Sequence, residues 1–338
     1  MNKSLSSQTT GRTTSAEIAI ISEWSSINAG RNFALLLTAC KTFGIDEQTV
    51  WNHIPDALVG ISIDDMRREE SQITLAQYNT IVHALVAQLG HIGWLRLIGR
   101  QSPLIDFGLE SIKRFVGTRI LGRFVSPWAA YRELKQAASA WNINKSWSAT
   151  LIAGNKVRLT CIYLPGGPQQ KSVSRLDDAE SLLHLIRGMN EALTDIFPGR
   201  GLGKVVYRLV ELPILPLLER WLPSTMRAAF DGETLRVNDI AVGRKVWLKA
   251  TETGANVGDY SDTEIDGAPT GVLIEQDIET PCVPERNGMS HMPILHKGEI
   301  FQINDAVSPF GCTVVEVEWR RTDVELFLEQ IPGSRWFK

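Results

Sequence analysis

WSATLIAGNKVRLTCIYL, residues 147–164, alternates polar and apolar side chains on either side of Gly154-Asn155-Lys156. A period of two places successive side chains on opposite faces of a strand. A short glycine-containing loop between two such runs is the ordinary signal of a hairpin. The spacing therefore predicts strands over Trp147–Ala153 and Val157–Leu164, and Pro165-Gly166-Gly167-Pro168 stops the second.

Upstream the period is helical. Phe33, Leu36, Leu37, Cys40 and Phe43 recur at three and four residues, and Gly44 closes that helix. Asp46–His53 reads as a short helix halted by Pro55. Thr74 and Gln77 have capping-box spacing ahead of Tyr78, Ile81, Val82, Leu85, Val86 and Leu89. Ser126-Pro127 starts a further helix that runs to about Ala140.

Downstream, Asp177 and Glu180 open a long helix with Leu182, Leu183, Ile186, Leu193 and Phe197 on its apolar face, ending at Pro198-Gly199. Lys204–Val210 reads as a strand and Leu212–Leu222 as a proline-punctuated helix. Beyond Phe230 only short β-type runs remain: Val246–Lys249, Gly271–Glu275, Ile300–Ile303 and Thr313–Trp319. Thr251–Pro269 reads as a mobile loop. The order lacks the regular alternation of a doubly wound sheet. It predicts an α+β fold: a helical layer on a small antiparallel sheet, then a β-rich part. The expected division is a tail over 1–22, a helical-plus-sheet ligand-binding domain over 23–230 and a β-rich acidic region over 231–338.

The chain has 338 residues, 43% hydrophobic and 22% charged, which excludes a wholly disordered protein. Its net charge of −3 excludes a basic nucleic-acid binder as a whole. That charge is unevenly spread. Residues 251–338 hold 16 acidic and 6 basic residues, a net of −10, so residues 1–250 carry +7. Such asymmetry can draw the two parts together or bias partner choice, and varied surface charge is its plain explanation. The first residues are polar and lack the apolar core of a secretory leader, and no run approaches a membrane span. The four cysteines, Cys40, Cys161, Cys282 and Cys312, stand far apart. A cytoplasmic protein with free thiols is expected.

Few motifs carry chemistry. Gly199-Arg200-Gly201-Leu202-Gly203-Lys204 lacks the outer glycine and the Ser or Thr of a phosphate-binding loop, and it leads from helix to strand rather than the reverse. Cys282, His291, His296 and Cys312 offer two sulfurs and two imidazoles without the close pairs of a structural zinc site. His83 lies on a helical stripe, where it could ligate haem but more often sits partly buried. No cofactor or metal is therefore expected. Arg96, Arg100, Lys113, Arg114, Arg119 and Arg123 crowd one stretch and could meet an acidic ligand, a nucleic acid or the acidic tail. Trp128, Trp141 and Trp147 bracket the helix-to-hairpin junction, where aromatic rings suit either core packing or a pocket wall.

Leu36-Leu37-Thr38-Ala39-Cys40, then Phe43-Gly44-Ile45-Asp46, resembles the opening of the effector-binding amino-terminal domains of AraC-type regulators. Asp64-Asp65-Met66-Arg67, Leu75-Ala76-Gln77-Tyr78, Gly99-Arg100 and Phe107-Gly108-Leu109 follow in the family's order, and the hairpin falls where such domains place their sheet. The likeness covers residues 31–210. The chain is also similar to bacterial sensory modules of the haem-NO-binding and 4-vinyl-reductase-like groups. It departs from AraC-type regulators after residue 250, where an acidic β-like segment stands in place of helix-turn-helix units, so direct nucleic-acid binding is not expected.

These resemblances imply a bacterial sensory or regulatory module that binds a small apolar ligand between helices and sheet and signals to a partner protein or appended domain, with a homodimer compatible. The expected ligand-binding residues are Tyr78, Trp94, Trp128, Tyr131, Trp147 and Tyr163, and no catalytic residue is assigned. The alternatives are an enzyme with a dispersed His/Cys site and a protein–protein interaction module.

Overall fold

A computed structural model describes residues 27–28, 40–41, 44–52, 72–73, 75–90, 92–101, 125–139, 145–163, 175–250, 256–285, 288–303, 312–323 and 325–326. Strand β1 (Ile27–Asn28) precedes helix α1 (Glu47–Asn52), and β2 (Gln72–Ile73) precedes α2 (Leu75–Leu89) and α3 (Trp94–Gln101). Helix α4 (Trp128–Ser139) leads into β3 (Lys145–Ala153) and β4 (Lys156–Tyr163). Then come α5 (Arg175–Asp195), β5 (Lys204–Pro213) and α6 (Ile214–Trp221). The remainder is β6 (Ala228–Phe230), β7 (Thr234–Val237), β8 (Ile240–Ala250), β9 (Asn256–Ser261), β10 (Thr270–Ile274), β11 (Ile278–Glu285), β12 (Gly288–Leu295), β13 (Ile300–Gln302) and β14 (Cys312–Glu318).

The fold is α+β, as the sequence predicts. Local chemistry explains the starts. Asp46 accepts from Thr49 N at 3.2 Å and caps α1. Ser126 Oγ accepts from Trp128 N at 3.2 Å at the start of α4. Gly44 closes the preceding turn at φ 69°. The β7–β8 hairpin turns on Asn238 and Asp239 at φ 47° and 65°, the paired positive φ of a type I′ turn.

The sheet is larger than expected and runs through the expected division at 230. Ten strands join in the order β3-β4-β14-β5-β13-β10-β8-β7-β6, with β9 beside β8. Strand β14, near the end of the chain, lies between β4 and β5, and β13 runs parallel to β5. Strands from both sides of residue 230 therefore share one sheet, because Thr313–Glu318 lies between β4 and β5. Thr251–Pro269, expected as a loop, contains β9, and residues 251–255 lie outside the described set. The tail over 1–22 lies outside it too.

One face of the sheet packs on the helices. Val157, Leu159, Val205, Tyr207, Val315, Val317 and Phe301 meet Ile81, Leu85, Leu95, Ile98 and Leu183 in a continuous core. The opposite face holds a smaller core of Leu209, Val246, Leu248, Leu273, Ile300 and Val314, against which Tyr260 of β9 packs. Among the described residues no single helix is long and apolar enough to cross a membrane.

Candidate functional site

Helices α3 and α5 touch through glycine. A Cβ on Gly188 would overlap the Arg96 carbonyl oxygen, and one on Gly99 would overlap that of Leu185. Such backbone approach needs residues without side chains. It sets the polar stripe of α5, Arg187, Asn190, Glu191 and Thr194 at helical spacing, against Arg96 and Arg100 of α3. Arg96 Nε donates to Glu191 Oε2 at 3.0 Å, and Arg100 Nε donates to the same oxygen at 2.7 Å. Arg96 is 8% exposed and Glu191 2%.

A second pair lies alongside. Arg187 Nη2 donates to Glu299 Oε1 at 2.6 Å, and both residues are buried. Glu299 belongs to the turn between β12 and β13. Its carboxylate accepts from His296 N at 2.9 Å and Tyr207 N at 3.2 Å. The Arg187 guanidinium stands 5.0 Å from the centre of the Tyr207 ring. Arg187 Nη1 also donates to Ile294 O at 3.3 Å, and Arg96 Nη1 to Pro293 O at 3.1 Å. Two arginines from two helices thus hold the base of the β11–β12 hairpin.

His296 completes the layer. Its Nε2 lies 3.2 Å from Arg96 Nη1. An arginine nitrogen only donates, so Nε2 accepts and the proton sits on Nδ1, which faces Asp277 at 3.8 Å. Burial, then the charges of Arg187 and Arg96, push this imidazole down to about 3, so it is neutral. Three arginines face two glutamates here. A buried pair adds little net stability over apolar packing, but removing one partner strands a charge at about 3–5 kcal/mol. The layer therefore specifies one arrangement of α3, α5 and the β12–β13 turn.

The aromatic junction adjoins it. Tyr131 of α4 is fully buried, its ring stacks on Trp319 with centroids 6.0 Å apart, and its hydroxyl donates to Asn190 O at 3.1 Å. Burial raises the Tyr131 phenol far above its usual range, so it stays a donor. Trp147 of β3 is buried opposite Cys161 in the same core, and Trp128 leans against it. Of the six expected ligand residues, Tyr131 lies with Trp319 at the β3–β4 turn end of the sheet, where Trp319 N donates to Asn155 O, whereas Trp147, opposite Cys161 and so level with Thr313, sits six residues away along β14. Trp94 is buried at the start of α3. Tyr78 lies on α2 and Tyr163 at the end of β4, and their side chains fall outside the described residues.

The other expected clusters disperse. Cys282 and His291 sit on the paired strands of the β11–β12 hairpin, Cys312 opens β14 beside Ile162, and His296 is held in the charged layer. His83 is exposed on α2. Among the described residues no group of three His, Cys, Asp or Glu is placed to hold a metal ion. Gly199 and Gly201, at φ 84° and 67°, close α5, and Arg200 between them is buried against Glu325 and the Arg320 carbonyl. Of the crowded basic residues, Arg96 and Arg100 meet Glu191, while Lys113, Arg114, Arg119 and Arg123 lie outside the described set. Sequence reading missed Glu191, Glu299, Arg187 and Trp319. The available signal was the polar stripe Arg187, Asn190, Glu191 and Thr194 on a helix otherwise read for its apolar face.

No family model matches the chain, and no curated protein matches it. Two solved structures are similar at low identity. One is a Cs H-NOX mutant bearing 4-cyano-L-phenylalanine at site 5, at 7% identity and a TM-score of 0.38, covering 87% of this chain and 97% of that one. The other is the Fe(II) unliganded H-NOX protein of K. algicida, at 9% identity and a TM-score of 0.35, covering 54% of this chain and 88% of that one. Both TM-scores are too low to decide ligand or activity.

Proposed function

We propose that the chain is a sensory module in which a small apolar ligand beside the Tyr131–Trp319 stack changes the packing of α5 on α3 and so moves the β11–β12 hairpin. One observation carries this reading. An unbroken series of contacts leads from the stack to the hairpin: Tyr131 Oη to Asn190 O, the next residue Glu191 to Arg96, and Arg96 to Pro293 O and His296. A ligand moves an equilibrium only by its difference in affinity for two states. A layer of buried directional pairs suits such coupling, because it favours discrete arrangements over graded ones. In this reading the hairpin is the face offered to a partner protein. Burial, then the charges of Arg187 and Arg96, keeps His296 neutral at the base of that hairpin.

A thermal-shift screen of apolar metabolites, followed by hydrogen exchange, tests it. A ligand that raises Tm should alter amide exchange at the base of the β11–β12 hairpin. Arg96→Gln should still bind that ligand but lose the change at the hairpin. A stabilising ligand that leaves hairpin exchange untouched in the unsubstituted protein removes the coupling, and a screen without any stabilising compound removes the sensor.

A further inference from the structure

The outer face of the sheet carries a charged cluster that the coupling route does not use. Register places Lys156 and Arg158 of β4, Glu316 and Glu318 of β14 and Lys204 of β5 on that face. Arg208 joins them through a bulge. Pairing of β14 with β5 steps from Val314–Leu209 to Val315–Tyr207, which leaves Arg208 as the extra residue. A bulge re-aims the side chain it carries. Arg208 Nε lies 3.7 Å from Glu316 Oε2, Lys156 Nζ lies 2.6 Å from the same oxygen, and Arg158 Nη2 lies 2.7 Å from Oε1.

Three cations thus converge on one carboxylate, whose side chain is only 6% exposed. Burial acts to raise the Glu316 carboxyl, but hydrogen bonds from Lys156 and Arg158 with the charges of Lys156 and Arg208 hold it below its usual range. It is ionised. On β4, β14 and the 204–208 stretch of β5, four cations face two carboxylates, and β9 brings Asp259 beside Gly258. The Arg208 Nε is buried and makes no hydrogen bond among the described residues. Strand β9 walls the cluster on one side, since a Cβ on Gly258 would meet the Arg208 carbonyl oxygen at 2.5 Å.

We propose that this walled corner binds a phosphate-bearing small solute through Arg208, Arg158 and Lys156. The cations outnumber the carboxylates on these three strands, which suits a phosphate anion. Guanidinium forks suit its paired oxygens, and the lysine contributes a further donor. A polyanion is the poorer fit. The neighbouring strand β3 offers Ser148 and Thr150 on this face rather than cations, so no basic track extends from the corner. The site is independent of the Tyr131–Trp319 stack, and either assignment can fail alone.

Calorimetric titration of the full chain with pyrophosphate and inorganic phosphate, at constant ionic strength against chloride, tests the site. Pyrophosphate should bind saturably and raise Tm. Arg208→Gln and Arg158→Gln should each weaken binding by about ten-fold or more, as loss of a charge-assisted hydrogen bond implies. Arg244→Gln, at an exposed pair with Asp262 and Glu275, should leave binding unchanged. Glu316→Gln should bind pyrophosphate more tightly, with unfolding checked by circular dichroism. Equal binding by Arg208→Gln and the unsubstituted chain overturns the site, as does a chloride response of the same size. An oligonucleotide that outcompetes pyrophosphate overturns the small-solute assignment in favour of nucleic acid.

Discussion

His296 is the residue at which acidity should register. Burial first, then Arg187, Arg96 and Lys204, lower its pKa from 6.5 to about 3, while Asp277 acts in the other direction. Glu299 faces its backbone N–H. An imidazole whose folded pKa lies below its unfolded value takes up a proton when the chain unfolds. Its contribution is complete above the unfolded value of 6.5 and is lost as pH falls toward about 3. His296→Gln keeps an acceptor for Arg96 and removes the titration. Urea unfolding at about pH 7 and about pH 5 should show the unsubstituted protein losing up to about 1.4 kcal/mol per pH unit relative to the variant. A constant difference between the two would mean that His296 is exposed to water in solution.

Between elements, the closest approach is that of α3 to α5. Alanine is a better helix former than glycine by about 1 kcal/mol, so Gly188→Ala would stabilise α5 if the face were free. The Arg96 carbonyl occupies the place of the new methyl, and that atom cannot swing aside. Gly188→Ala should therefore destabilise by about 3 kcal/mol in urea titrations and weaken the Arg96–Glu191 pair. A neutral or stabilising result would place the helices further apart. The same contrast explains what could be read in advance. The β3–β4 hairpin is local, and its strands fall within a residue or two of their expected bounds. Helix α5 was equally legible, because the acidic residues near its start and its apolar period lie within one segment. Glu191 meets Arg100 across 91 residues and Glu299 meets Arg187 across 112, and no local period announces such meetings. Strands β11 and β12 were hidden by Pro281, Pro284 and Pro293, which a sequence reader takes as turns but which sit in a two-stranded arm.

For the whole molecule, the uneven charge and the interleaved sheet are one fact. The acidic C-terminal part sends Glu299 to Arg187, Glu325 to Arg200, Glu316 to Lys156 and Arg158, and Asp262 and Glu275 to Arg244. Five of the 16 acidic residues of 251–338 thus pair with cations of the first part, and three of them, Glu299, Glu316 and Glu325, do so inside the fold. A chain cut after residue 230 would lose β14 from between β4 and β5, leaving two central strands with open edges. It would also bury Arg187 and Arg200 without their carboxylates, each at about 3–5 kcal/mol. Those costs together approach the whole stability of an ordinary domain, about 5–15 kcal/mol. Residues 1–230 expressed alone should therefore show no cooperative urea transition, weak near-ultraviolet dichroism and strong dye binding to exposed apolar surface. Co-expression with residues 231–338 should restore a single transition. A cooperative transition from residues 1–230 alone would mean that β4 and β5 pair directly when β14 is gone, and that the acidic strand is an insertion into a sheet able to close without it.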